Sequence, residues 1–381
     1  MVYKFDKTSY GSLHPLFEPL VYHPMWMAVL DCVYPGEVYV DDPDTPGTAF
    51  LSTFITSQDD GVWGYLVGNP ENEAFNQALN QAILGREIIG QSTPVLLLTC
   101  YPEDWHGRLG ELFAPRAPTP MPRRHYICRE LNYDWRAHLP AGFSMHPLST
   151  ALLSRPRLTV PEEVRKTAGK WDSYAGMGMR DFGFVVVHDD PKVGGAQVVS
   201  WATVDFVTRV GGDAGVFTVD KYRQRGLATI AAAAAVEYGL AQGLSFVNWT
   251  CAKDNPGSIR TAEKLGFERL SDYKMHLLIF DETQSIAQLA YQTLQAGDYQ
   301  RVIESYDRFF ELQAEPPVWA YLDAARAWAG LGNEDRAFEN LNLAVGRGWS
   351  NVGELKVYEE FEGLRDSQKW DNLVERMRQA A

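Results

Sequence analysis

With 381 residues, 45% hydrophobic and 12% aromatic, the chain is long enough for two or three domains and rich enough in core formers to exclude disorder. Its 49 acidic against 35 basic residues, a net charge of −14, argue against nucleic acid as a main partner and suit neutral or cationic ones, or simply solubility. Cys32, Cys100, Cys128 and Cys251 lack C-x-x-C spacing, so no metal site and no disulfide framework is expected. Without an apolar signal core or an 18-residue apolar run, a cytoplasmic protein with no membrane partner is expected.

In chain order, residues 1–131 predict a strand over Ala49–Ile55 and another at Gly64–Val67. Gly68-Asn69-Pro70 then leads into a helix over 71–84. Thr93–Cys100 reads as a buried strand, 103–113 as a helix, 114–122 as a proline-rich connection and Arg124–Leu131 as a closing strand. Asn132–Arg136 and Pro140–Phe143 join this unit to a second one. There, helices are expected over 161–168 and 170–176, strands over Phe182–His188 and Ala196–Val207, and a turn over 191–195. Gly211-Gly212-Asp213 is expected to turn into a central strand, Val216–Val219. Leu244–Cys251 is the next strand and 274–280 the last. Strands ending in Thr-Cys and helices ending in phenylalanine occur in both units, which suggests a repeat at the level of fold order.

Two stretches carry chemistry. After the central strand, Arg223-Gln224-Arg225-Gly226-Leu227-Ala228-Thr229 opens an alanine-rich helix. A strand, a glycine turn and a helix start aim backbone N–H groups and a positive dipole end at one point, which suits phosphate. Further on, Asn255 and Ser258 precede Leu265-Gly266-Phe267. Arg-x-x-Gly-x-Ala followed by Asn-x-x-Ser and Leu-Gly-Phe resembles the GNAT superfamily of N-acetyltransferases. Residues 1–280, with Pro24, Trp26, Asp134-Trp135-Arg136 and Pro140-x-Gly142-Phe143, are similar to a bacterial two-unit GNAT family.

The resemblance implies an α/β protein of tandem GNAT folds. The first (1–131) lacks the basic turn and is degenerate, serving as one wall of a substrate cleft or as a purely structural half. The second (132–281) binds acetyl-CoA. It implies an enzyme that acetylates a primary amine, with a small molecule as acceptor. The coenzyme residues are Phe217, Thr218, Val219, Arg223, Gln224, Arg225, Gly226, Leu227, Ala228, Thr229, Asn255 and Ser258, and the N–H of Phe217 or Val219 polarises the thioester. Asp213 is the leading candidate base, with Asp205 and His188 behind it. The family's acid tyrosine is replaced by Ala262, which leaves Ser258, Thr261, Cys251 or water to serve the thiolate. A non-catalytic acyl-CoA sensor acting through the tail is the alternative.

From about Ile286 the strand signals vanish. Ala290, Gly297, Val302, Tyr306 and Phe309 align with Ala325, Gly332, Ala337, Leu341 and Ala344 at a spacing of 35, which resembles tetratricopeptide repeats. Residues 282–381 are therefore expected to form an all-α, TPR-like domain that ends in an amphipathic helix over 371–378. Two repeats are too few to stand alone, so a protein partner, self-association or docking is expected for this domain.

Overall fold

The computed structural model describes residues 1–20, 23–54, 61–114, 116, 118–190, 195–355 and 357–380. It divides into two compact units, Met1–Leu278 and Ile279–Ala381.

The first unit is built on one sheet. Its strands are β1 (Tyr3–Lys4), β2 (Glu37–Val40), β3 (Thr48–Phe54), β4 (Val62–Gly68), β5 (Val95–Tyr101), β6 (Thr119–Cys128), β7 (Phe143–Pro147), β8 (Leu158–Thr159), β9 (Phe182–Asp190), β10 (Gly195–Asp205), β11 (Gly211–Thr218), β12 (Phe246–Ala252) and β13 (Glu268–Ile279). They run in the order β1-β2-β3-β4-β5-β13-β6-β12-β11-β10-β9-β7, with β8 beside β10. The helices that matter here are α1 (Pro24–Leu30), α2 (Glu73–Leu84), α3 (Trp105–Leu112), α4 (Glu162–Tyr174), α5 (Leu227–Ala241) and α6 (Pro256–Lys264).

The repeat is visible in the topology. An antiparallel run ends in a strand that crosses over a helix to a parallel neighbour, once as β4-α2-β5 and once as β11-α5-β12. The closing strands are exchanged. β13, from the second half, lies beside β5, and β6, from the first half, lies between β13 and β12. Arg123 to Cys128 of β6 face β12 on one side, while Thr119 to Ile127 face β13 on the other. Neither half owns a complete sheet.

The alanines of α5 serve packing as well as propensity. Ala231 to Ala235 are all buried, so the helix is apolar on every side and sits inside a cluster with Val204, Val247 and Trp249. The joining segment is pinned to that helix, because the Trp135 indole and the Arg136 guanidinium both donate to Glu237, each at 2.9 Å. Trp26 is buried and donates to the Leu20 carbonyl at 2.7 Å, which fixes the entry to α1.

Several expectations are corrected. Gly211-Gly212-Asp213 is strand, not turn. A Cβ on Gly211 would meet the Phe246 ring at 2.3 Å and one on Gly212 would meet Val204 at 2.6 Å, so these glycines allow close packing within β11. Part of the proline-rich connection is strand: β6 begins at Thr119, where it has a neighbour on one side only and tolerates Pro120 and Pro122. The expected helices at 161–168 and 170–176 are one helix, α4, followed by a short 3₁₀ turn. β13 starts directly after Gly266-Phe267, six residues before the expected 274. The turn residues 191–194 and Ile55 lie outside the described residues.

In the second unit, α7 (Glu282–Gln295) and α8 (Tyr299–Leu312) form one helical pair, α9 (Val318–Gly330) and α10 (Glu334–Gly346) a second, and α11 (Gln368–Ala380) closes the chain. Gly297 and Gly332 occupy the same left-handed turn, with φ of 75° and 74°. Ala290, Val302, Tyr306 and Phe309 are buried, as are their counterparts Ala325, Ala337, Leu341 and Ala344. Asp281, Asp298 and Asn333 cap the helices that follow them.

Candidate active site

The site begins where β11 leaves β12. The two strands pair in parallel from Gly211↔Phe246 to Ala214↔Trp249, and the ladder then stops. β11 continues to Thr218 held only by β10, up to Ser200↔Thr218. The Val219 N–H donates to the Val199 carbonyl at 2.9 Å. Alternation along the strand therefore turns the Phe217 N–H toward β10 too, and turns the N–H groups of Val216 and Thr218 into the gap. This corrects the expectation that Phe217 or Val219 offers the polarising N–H: those donors face the wrong neighbour.

The gap opens into a cavity of about 620 Å³. Phe217, Thr218, Arg223, Gln224, Gly226, Leu227, Ala228, Thr229, Asn255 and Ser258 line it, as expected from sequence; Val219 and Arg225 do not. Gly226 has φ of 76° and is the N-cap of α5, with no side chain capping that end. The first N–H groups of the helix thus face the cavity without an intrahelical acceptor. No atom lies within 4 Å of an ideal Cβ at Gly226, so the space over the turn is open. Gln224 also holds a positive φ, 62°. Arg223 is tied back, to Asp220 at 2.7 Å and to the Thr218 carbonyl at 3.3 Å. Arg225 lies over the Tyr222 ring.

Arg260 and Lys264, one turn apart on α6, also line the cavity and were not anticipated. With Arg223 they give three cations and no acid among the lining residues. A cationic cleft on a chain of net charge −14 suits a polyanion. The spacing of four on a helix could have revealed the pair. The Asn255 side chain accepts from the Ser258 N–H at 3.0 Å and so caps α6.

Asp213 belongs to the other face of the sheet. It pairs with Asp205 of β10 and Asn248 of β12. With His23, Tyr65, Thr250 and Tyr273 it lines a small cavity of about 20 Å³, room for about one water. α1 packs over β11 here. Burial pushes the Asp213 carboxyl up to about 7; Arg123 opposes this and Asp205 adds to it. Its Oδ1 is buried and has no hydrogen-bond partner among the described residues. His23 is held neutral: burial and the neighbouring His125, 4.9 Å away between ring centres, push it down to about 3. These residues come from β4, β6, β11, β12, β13 and the entry to α1. No motif marks them, because strand exchange alone brings them together.

The remaining candidates are engaged elsewhere. Asp205 accepts from Thr203 at 2.7 Å and faces Lys170 at 3.4 Å. His188 shares a hydrogen bond with the Tyr222 hydroxyl at 3.0 Å and stacks on Phe143. Thr261 donates to the Gly257 carbonyl. Ser258 Oγ accepts from the Trp249 indole at 2.9 Å and lies beside Cys251, a buried thiol that burial holds above its ordinary value. Ala262 is fully buried.

The equivalent place in the first half is closed. β4 and β5 stay paired through Val67↔Tyr101. The Gly68 carbonyl accepts from the Trp105 indole at 3.1 Å, and Asn72 caps α2 through the Phe75 N–H. Neither a strand gap nor an uncapped helix start exists there.

The family model described as GNAT acetyltransferase matches residues 14–276. The uncharacterized N-acetyltransferase YdfB of Bacillus subtilis (strain 168) is 23% identical over 273 residues, covering 72% of this chain and 97% of the relative. A GCN5-related N-acetyltransferase-like protein from Streptococcus suis 89/1591 superposes with a TM-score of 0.51 at 21% identity, covering 71% of this chain and 98% of its own. A GCN5-related N-acetyltransferase from Sphaerobacter thermophilus gives 0.50 at 13% identity, covering 74% and 95%. The two structures share the fold of the first unit.

Proposed function

Because the chain belongs to the GNAT acetyltransferase family, we propose that it uses acetyl-CoA to acetylate the primary amine of a small molecule, with Asp213 as the base. One observation carries this reading. The gap between β11 and β12 separates a cationic cavity with an uncapped helix start from a buried carboxylate on the opposite face. Acetyl-CoA would supply the acetyl group as an activated thioester. The N–H groups at the start of α5, with Arg223, Arg260 and Lys264, fit its phosphates. The open space over Gly226 supports that fit.

The N–H groups of Val216 and Thr218 face the gap, where a donor polarises a carbonyl. Asp213 takes the proton that an ammonium must lose before it attacks. An N–C bond forms, the C–S bond breaks, and the products are an amide and the free thiol of the coenzyme. With alanine at 262, the leaving sulfur takes its proton through Ser258 or an ordered water.

Calorimetry with acetyl-CoA, followed by thiol release against an amine panel, tests this reading. One coenzyme per chain and amine-dependent thiol release are expected. Two coenzymes per chain, or none, would overturn it.

A further inference from the structure

On the acetyl-transfer reading above, we infer that Trp249 is a positioning residue: its indole fixes Ser258 so that the hydroxyl proton, backed by the Cys251 thiol, goes to the departing coenzyme sulfur. The three residues stand beside the gap. β11 and β12 last pair at Ala214↔Trp249. Side chains alternate along a strand, so the next residues on the same face are Val216 and Cys251, one on each side of the gap. Val216 lines the cavity of about 620 Å³, and so does Ser258 of α6.

The hydrogen bonds set a direction. An indole N–H only donates, so Ser258 Oγ accepts from Trp249 Nε1 at 2.9 Å. Trp249 is 2% exposed and packs edge-to-face against Phe267, which holds the donor in place. The Cys251 thiol is a second hydrogen-bonding neighbour of Ser258. A serine oxygen has two lone pairs and one proton. With the indole and the thiol S–H on the lone pairs, the proton is left for the cavity. Among the described residues no backbone carbonyl of α6 accepts it, whereas Thr261 donates its own to Gly257.

Cys251 makes this donor effective. A serine hydroxyl alone is a poor acid. Cys251 and the departing sulfur are both thiols, so moving a proton from one to the other through Ser258 is nearly balanced. Burial keeps Cys251 protonated beforehand; Arg123 and Arg124 favour the thiolate that remains, and Glu263 opposes it. Ser258 gives its proton to the sulfur as the C–S bond breaks and takes the S–H proton of Cys251. Water then returns a proton to Cys251, in place of the one that the acetylated nitrogen has released to it.

The first test is binding by the full chain and needs no acceptor. Calorimetry compares coenzyme A with desulfo-coenzyme A, which has hydrogen in place of the thiol, at pH ~9.5, above the ordinary ionisation of a thiol. Wild type should bind coenzyme A at least ~10-fold more tightly, the scale of one charged hydrogen bond. Ser258→Ala should abolish that preference and Trp249→Phe should reduce it, with acetyl-CoA affinity nearly unchanged in both. The second test is kinetic, with the amine that releases thiol fastest in the panel above. Ser258→Ala, Trp249→Phe and Cys251→Ala should each lower kcat by ~10-fold or more and leave KM for acetyl-CoA nearly unchanged. Cys251 serves only while protonated, so wild-type kcat should fall above pH ~8.5, and Cys251→Ala should lack that limb.

Equal binding of coenzyme A and desulfo-coenzyme A by wild type would overturn the inference, a result that needs no variant to fold. So would a preference that survives Ser258→Ala, full kcat in Trp249→Phe, or an alkaline limb that persists in Cys251→Ala. If no amine in the panel is turned over, the binding comparison alone decides. Failure to bind acetyl-CoA at all would instead remove the reading on which the inference rests.

Discussion

At the scale of single residues, Asp213 is the group on whose ionisation the proposed reaction depends. Its carboxyl is raised from an ordinary 3.8 to about 7, chiefly by burial. As a base it works only when ionised, so acetyl transfer should rise with pH through about 7. Asp213→Asn should flatten that limb and lower kcat by ~10²–10⁴-fold, with acetyl-CoA affinity unchanged. The same shift has a stability consequence of fixed sign. A carboxyl that binds its proton more tightly when folded contributes stability at low pH and loses it as pH rises through the folded value. The Tm of Asp213→Asn relative to wild type should therefore increase between about pH 4 and pH 8; a constant difference would mean the carboxyl is not raised. Gly226 is the second decisive residue. Valine there meets no neighbouring atom in the protein but fills the space above the helix start and strains a left-handed backbone. Its acetyl-CoA Kd should rise at least ~10-fold by calorimetry, the cost of losing one charge-assisted hydrogen bond.

At the scale of elements, β11 and α6 divide the work. β11 is pinned to β10 from Asp213 to Thr218 and to β12 only from Gly211 to Ala214, so its end presents backbone to the gap without losing its place in the sheet. Phe217, 46% exposed and tilted against the Trp201 ring, marks where it emerges. α6 brings the charge. Arg260 and Lys264 are exposed, so each is screened by salt and contributes modestly. The double variant Arg260→Glu/Lys264→Glu should weaken acetyl-CoA binding by ~10-fold or more at low salt and by clearly less at high salt. A loss independent of salt would assign these residues a role other than attraction.

At the scale of the whole molecule, the exchange of β6 and β13 makes the two halves of the first unit one folding body. A chain of residues 132–281 alone would lack β6, leaving an open edge on β12 and β13 without its neighbours. It should be unfolded or aggregated by circular dichroism and gel filtration, and co-expression with residues 1–131 should restore a soluble pair. A stable, acetyl-CoA-binding 132–281 fragment would show that the exchange is dispensable. The exchange also accounts for the buried polar cluster of His23, His125, Tyr65 and Tyr273, which neither half could form by itself.

The family, the crossover helices and the glycine turn that opens α5 were legible in the sequence because each rests on local chemistry. Gly226 must adopt a positive φ, the alanines of α5 favour helix, and Asn255 caps the helix it precedes; neighbours in the chain decide all three. The repeated helix pairs of 282–346 were legible for the same reason, since small and large residues recur at one spacing. What depends on strand partners was not. The phase of β11 against β10, which turns the Val216 and Thr218 N–H groups rather than those of Phe217 and Val219 into the gap, is set by a ladder between residues about 20 apart. Gly211-Gly212 reads as a turn until the Phe246 ring is seen against it. Arg123 lies at the end of a proline-rich stretch, and only the insertion of β6 between β12 and β13 brings it to Asp213, 90 residues later in the chain. A side chain's own identity says what charge it carries; the register of distant strands decides which other charge it will face.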